Sequence, residues 1–185
     1  MAEQLITMQQ RREAERLKYL RLATSARGYG GTNHGRHAYT TVIVWQPRFV
    51  VDFGCGNNAF IRELRRRGID GLGIDFANDE ADVRAPMHAV PLAGGIADVV
   101  SSFDALEHLL PEDVDPVLAE MRRIGRPGGR FVFSICTRPS RITVGGQNLH
   151  PTVRPLDWWI DRIARVGAAE SAGMSGGYIT GTWHA

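Results

Sequence analysis

The sequence predicts an α/β fold: a doubly wound, mostly parallel sheet with helices on both faces, compact or shortened at its C-terminal end. Three observations carry this. Four apolar runs, RFVVDF (48–53), GLGIDF (71–76), ADVVSSF (97–103) and RFVFSIC (130–136), are too continuous for half-exposed strands and read as strands buried on both faces. Helical segments alternate with them, which is the pattern of a parallel sheet with helical crossovers. The first run ends in a Gly-x-Gly turn, Gly54-Cys55-Gly56, and helix formers follow it. A strand, a glycine turn and a helix in that order handle nucleotides in many α/β proteins.

The elements follow in chain order. Residues 2–22 read as an amphipathic helix, with Leu5, Met8, Leu17 and Leu20 near helical spacing. ARGYGGTNHGRHAY (26–39) is a glycine-rich loop, and Gly28, Gly30, Gly31 and Gly35 would let it fold over a ligand as a lid. After the first strand, Asn58 can cap the helix AFIRELRRRG, which Gly68 ends. PEDVDPVLAEMRRIG forms a helix with acids in its first turn and arginines near its end, matching the macrodipole. PGG (127–129) turns the chain into the fourth strand, PLDWWIDRIARVG is a last helix, and YITGTW is a short edge strand.

Composition bounds the rest. The 185 residues suit one core, and 43% hydrophobic with 23% charged residues is ordinary for a globular chain. No apolar run approaches a membrane span and the N-terminal segment is not a secretory signal, so a cytoplasmic protein away from the membrane is expected. Cys55 and Cys136 form no metal-type pair. A net charge of +2 does not demand nucleic acid, although arginines cluster at Arg11, Arg12, Arg16 and Arg21 and at Arg65 to Arg67, which leaves nucleic acid open as a partner. Oligomeric state is not legible.

Acidic residues stand at successive strand tips. Asp52 lies beside the glycine turn, where it would repel a pyrophosphate and hold an ammonium or ribose hydroxyls. The glycines alone do not exclude a dinucleotide, because Ala59 can replace the third glycine. A phosphate P-loop is excluded, since no Gly-Lys-Ser/Thr follows. Asp75 ends the second strand and can accept two hydrogen bonds from a ribose diol. Asp82 can take an adenine amino group, with Val83 against the ring. A cofactor with adenine, ribose and a cation but no phosphate is S-adenosylmethionine.

At these residues the sequence resembles the class I S-adenosylmethionine-dependent methyltransferases. VVDFGCGNN, GIDF, ADV, SSFDALEHL and RPGGRFVFSI are similar to five of that family's motifs, in order, over residues 48–136. The resemblance implies a seven-stranded sheet with a final antiparallel hairpin, and a cofactor over the first two strand ends. Asp52, Gly54, Cys55, Gly56, Asp75, Phe76, Asp82, Val83, Phe103 and Asp104 are the expected cofactor residues. The chain departs from the family in three ways. Asn58 replaces a further glycine, few residues separate Asp75 from Asp82, and little chain follows Val166, so a truncated sheet is expected. Residues 1–40 are expected to form a helix and lid, and residues 41–185 the cofactor domain.

The implied reaction moves a methyl group to an oxygen or nitrogen of a small-molecule or nucleotide-like acceptor. A nucleic-acid methyltransferase and a noncatalytic S-adenosylmethionine-binding module are the alternatives. His108 is the expected general base, since histidine titrates near ~6.5 unperturbed, and His150 is a second catalytic candidate. Tyr29, His34, Arg138, Arg141 and Trp158 are expected to meet the acceptor. Asp104, Glu107, His108 and His150 also echo the acidic-x-x-Glu-His plus later His pattern of small-RNA 2′-O-methyltransferases, whose ligand types suit a divalent cation. Glu-His-Leu occurs in metal-free small-molecule methyltransferases too, and no metal ligand is assigned from sequence.

Overall fold

The computed structural model of the chain describes residues 7–25 and 34–184. Helix α1 (Met8–Ser25) comes first. A 3₁₀ turn (His34–Ala38) leads into α2 (Tyr39–Val44). Then come β1 (Phe49–Phe53), α3 (Ala59–Arg66), β2 (Asp70–Ile74) and β3 (Ala97–Phe103). A second 3₁₀ turn (Leu106–His108) precedes α4 (Pro111–Ile124) and β4 (Gly125–Cys136). The chain closes with β5 (Thr143–Val144), β6 (Gln147–Asn148), α5 (Leu156–Ala164), β7 (Ala168–Ser175) and β8 (Tyr178–His184).

Six strands form one sheet in the order β2-β1-β3-β4-β8-β7, and β5 and β6 make a separate small hairpin. The first four are parallel, and β8 and β7 are antiparallel. Successive side chains on a strand face opposite ways, and both directions are buried here. Val51, Val100, Phe131 and Phe133 pack with Val114, Val117 and Met121 of α4 and Trp159 of α5. Their neighbours Val50, Val99 and Val132 pack on the other face with Val42 of α2 and Phe60, Ile61 and Leu64 of α3. This is why those strands read as unbroken apolar runs. β1 sits between β2 and β3, so chain direction across the sheet reverses there, and the crevice at the strands' carboxyl ends opens at that point.

Several expectations need correction. Among the described side chains of α1, Lys18, Tyr19 and Leu22 are buried, whereas Met8 and Leu17 are exposed; Leu5 lies outside the described residues. Charged contacts also tie this helix to the rest: Arg11 pairs with Glu112 and Arg12 with Asp113, both at the start of α4. Asn58 precedes α3 with a left-handed backbone (φ 59°) and does not cap it with its side chain. Its Nδ2 donates instead to Asp82 (2.8 Å) and to the Glu80 carbonyl (3.2 Å). The PGG turn persists as a bulge inside β4, where the register passes from Ala97↔Gly125 to Val99↔Arg130.

The sheet is trimmed in the middle of the chain rather than at the C-terminus. Between β2 and β3 there is no helix and no full strand, only an isolated bridge between Ile74 and Val83. The C-terminal hairpin is complete. YITGTW is not an edge: β8 lies between β4 and β7, and β7 is the outer strand. No helix of the described residues is long and apolar enough to cross a membrane.

Candidate active site

The glycine loop after β1 is shaped by positive backbone angles, φ 74° at Gly54 and 52° at Gly56. A Cβ on Gly54 would stand 2.5 Å from the Ala105 Cβ, so the loop passes too close to the end of β3 for any side chain. The Gly54 and Cys55 N–H groups both donate to the Ile74 carbonyl (2.9 and 3.0 Å), tying the loop to the end of β2.

Asp75, just past β2, completes this cradle. Its Oδ2 accepts the Gly56 N–H (3.1 Å) and its Oδ1 accepts those of Ala77 and Asn78 (2.8 and 3.0 Å). Burial raises its pKa, partly opposed by those three N–H groups. Asp52 is buried at the loop's base and accepts the Ser101 hydroxyl proton (2.7 Å). Burial pushes its pKa up to about 7, the Ser101 bond lowers it, and the negative Asp75 nearby raises it again. Burial also pushes up the Cys55 thiol, so that side chain is an inert neutral wall at physiological pH.

The cleft above is lined by Asp52, Gly54, Cys55, Gly56, Asp75 and Phe76. Phe103, Asp104, His34, His108, Tyr19 and Met87 complete its lining. Asp104 follows β3 in a left-handed conformation (φ 54°), pinned by its N–H to the Ser134 carbonyl (2.9 Å). His34 Nδ1 lies 3.2 Å from Asp104 Oδ2. His108 Nδ1 faces the Leu149 carbonyl at 3.1 Å and the Tyr19 hydroxyl at 3.0 Å. Burial, then the nearby His150, lower its pKa to about 4.

Ten of the residues singled out from sequence therefore converge on one cleft: Asp52, Gly54, Cys55, Gly56, Asp75, Phe76, Phe103, Asp104, His34 and His108. Others stand elsewhere. Asp82 and Val83 do not line it. Asp82 is spent on the Gly73 N–H (2.9 Å), Asn58 and Arg65, and these bonds outweigh its burial and hold its pKa down. Its position favours bracing the glycine loop over reading an adenine. Arg138 lies over the Tyr178 ring, and Trp158 stacks under Arg162 at 3.6 Å. Arg141 is exposed on the segment before β5. His150 is behind His108, its ring 4.7 Å away. Tyr29 and most of the expected lid, residues 26–33, lie outside the described residues. Tyr19 was missed because it sits in a charged helix, where one aromatic residue gives no pattern.

Residues 51–133 match the family model described as a methyltransferase domain. Over those residues the chain is similar to class I, S-adenosylmethionine-dependent methyltransferase domains. Over 109 residues it is 29% identical to the ubiquinone biosynthesis O-methyltransferase of Bordetella avium, covering 50% of this chain and 44% of that one. It is 32% identical over 96 residues to the malonyl-[acyl-carrier protein] O-methyltransferase of Serratia marcescens, covering 46% and 37%. The chain thus spans less than half the length of these curated relatives. In fold it is similar to the 1,6-didemethyltoxoflavin-N1-methyltransferase of Burkholderia thailandensis, solved with its substrate and S-adenosylhomocysteine. The TM-score is 0.77 at 16% identity, over 100% of this chain and 92% of that one.

The residues of this cleft fit S-adenosylmethionine, the cofactor of the methyltransferases the chain resembles. The Gly54 and Gly56 backbone offers a surface without side chains, Asp75 offers a carboxylate hydrogen-bonded to that loop, and Phe76 offers an aromatic ring at the cleft wall. The buried Asp104 Oδ1 has no hydrogen-bond partner among the described residues and borders the same space.

Proposed function

We propose that this methyltransferase transfers the methyl group of S-adenosylmethionine to an oxygen of a small planar acceptor. One observation supports this most: the glycine loop with Asp75 and a carboxylate-oriented histidine, His34 on Asp104, line a single cleft. The two curated relatives named above are O-methyltransferases, which favours oxygen over nitrogen.

The bound cofactor would supply an electrophilic sulfonium methyl; the protein must place the acceptor and take its proton. Asp75 holds the ribose side. Asp52, once ionised, attracts the cofactor's ammonium. Asp104 fixes the Nδ1 proton of His34, leaving Nε2 as the general base. His108 is less suited, because its burial opposes the charge that a base acquires.

The nucleic-acid reading loses support at its arginines. Arg65 pairs with Asp82, Arg66 and Arg67 with Glu63, Arg11 with Glu112, Arg12 with Asp113 and Arg16 with Glu13. These cations are already answered within the chain.

The test pairs calorimetric titration of S-adenosylhomocysteine with a radiolabelled methyl-transfer assay on phenols, hydroxylated heteroaromatics and matching amines. Asp75→Ala should weaken binding about 10- to 100-fold, as expected for losing charge-assisted bonds of ~1.5–3 kcal/mol. His34→Ala should leave binding within a few-fold and lower kcat by roughly 10²–10⁴. Unchanged affinity in Asp75→Ala would overturn the cofactor placement. Tight binding with no transfer to any acceptor would leave a noncatalytic binding module.

A further inference from the structure

The crossing from β2 to β3 turns its polar groups toward the sheet edge. Asp82 Oδ2 accepts the Gly73 N–H (2.9 Å) and an Asn58 Nδ2 proton (2.8 Å), and it pairs with Arg65 at 2.8 Å. The Val83 N–H donates to the Gly73 carbonyl (3.1 Å), and the Val83 carbonyl accepts the Asp75 N–H (3.2 Å). Arg84 pairs with Asp79. These bonds zip the crossing onto β2 as the bridge between Ile74 and Val83. Asn58 is wedged into the seam: any side chain at Gly73 would collide with Asn58 Oδ1 and Cys55 Sγ. Asn58 is buried, so pulling Asp82 away would strand the Asn58 amide without water.

The cleft side of this crossing carries little that reads a base edge. Neither Asp82 nor Val83 lines the cleft, and the wall past Asp75 continues through Phe76, Ala77 and Asn78. The N–H groups of Ala77 and Asn78 are taken by Asp75. Asn78 Oδ1 accepts the Glu80 N–H (3.0 Å), which leaves Nδ2, a donor, as the polar atom of that side chain on this wall. An amide N–H can meet a ring nitrogen or a carbonyl oxygen of a purine; an amino group gives it no acceptor. Phe76 and Met87 supply an aromatic ring and a thioether to the same lining. Such groups hold a purine by its faces and are indifferent to the substituents on its edge.

We propose that the cofactor site selects for the ribose and not for the 6-amino group of the base, so that S-inosylhomocysteine, with oxygen in place of that amino group, binds as well as S-adenosylhomocysteine. This rests on the cofactor placement given under the proposed function. Adenine has a donor at the 6-position and an acceptor at N1, and hypoxanthine reverses both. A site that pairs with this edge leaves its own polar groups unsatisfied when the edge is reversed, and it discriminates by roughly 10-fold or more per bond. A site that grips the faces of the base and the ribose diol has no such bond to lose.

Calorimetric titration of the full chain with the two compounds in one buffer tests the selectivity. Their dissociation constants should agree within about 5-fold, less than the loss of one paired bond. Asp82→Ala should weaken both compounds by the same factor, because the glycine loop loses its brace, and should leave their ratio unchanged. Asn58→Gly, which keeps the left-handed backbone and removes the amide, should do the same. Both variants are checked for folding by circular dichroism, and the comparison on the parent chain does not depend on them. A larger preference of the parent chain for S-adenosylhomocysteine, or an Asp82→Ala loss confined to that compound, would overturn the inference and leave the cofactor placement standing. If neither compound binds, the cofactor placement falls and the base selectivity falls with it.

Discussion

Asp52 is a carboxylate that folding penalises. Its pKa is about 7 in the fold, against ~3.9 for an unfolded aspartate. A raised carboxylate pKa means that the folded state binds the proton more tightly. Its contribution is therefore fully present below about pH 4 and is lost as pH rises through 7. The shift corresponds to something on the order of 4 kcal/mol. Urea titrations of the ligand-free protein between pH 4 and 8 should show this fall, and Asp52→Asn should flatten it. Cofactor affinity should run the other way and rise through pH 7, because only ionised Asp52 attracts an ammonium. A stability profile of Asp52→Asn that matches the parent would remove the assignment. At this scale the sequence led to the cleft lining at Asp52 and Asp75, because a carboxylate at a buried strand's tip has few places to go. Asp82 is not part of that lining, and its partners Gly73, Asn58 and Arg65 come from β2, the glycine loop and α3.

Elements were legible where burial left a pattern. β1, β3 and β4 are apolar on both faces, and their runs could be read directly. β7 could not: AAESAGMS carries no apolar alternation, and without it β8 looked like an edge. β8 is in fact an interior strand. Ile179 is fully buried and opposite Ile135 of β4. Ile179→Ala should therefore cost about 2–5 kcal/mol, read from the urea midpoint at unchanged slope. A cost under ~1 kcal/mol would mean that the hairpin contributes little to the core. Helix α1 illustrates the opposite failure. Its apolar residues suggested one buried face, but the helix buries Tyr19 and Leu22 and pairs its arginines with α4, and hydrophobic spacing holds no record of those pairs.

For the molecule as a whole, the sheet of the fold it resembles is present with one edge reduced. The chain crosses from β2 to β3 without the usual helix and strand, and β2 keeps only the Ile74–Val83 bridge beside it. The short spacing between Asp75 and Asp82 announced this; the expected loss at the C-terminus did not occur, because a hairpin of two strands needs few residues. The cleft is unaffected, since it forms between β1 and β3 at the sheet's centre. Its roof is another matter. Tyr19 reaches it from α1, and α1 rests on α4 through the pairs of the exposed Arg11 with half-buried Glu112 and of the exposed Arg12 with buried Asp113. Ion pairs with one partner in solvent weaken as salt shortens the Debye length from about 10 Å at 0.1 M to 3 Å at 1 M. Stopped-flow release of S-adenosylhomocysteine should thus quicken a few-fold across that range, and Arg11→Ala/Arg12→Ala should be fast throughout. Residence time would then be set by the ionic medium acting on a clasp that never touches the ligand.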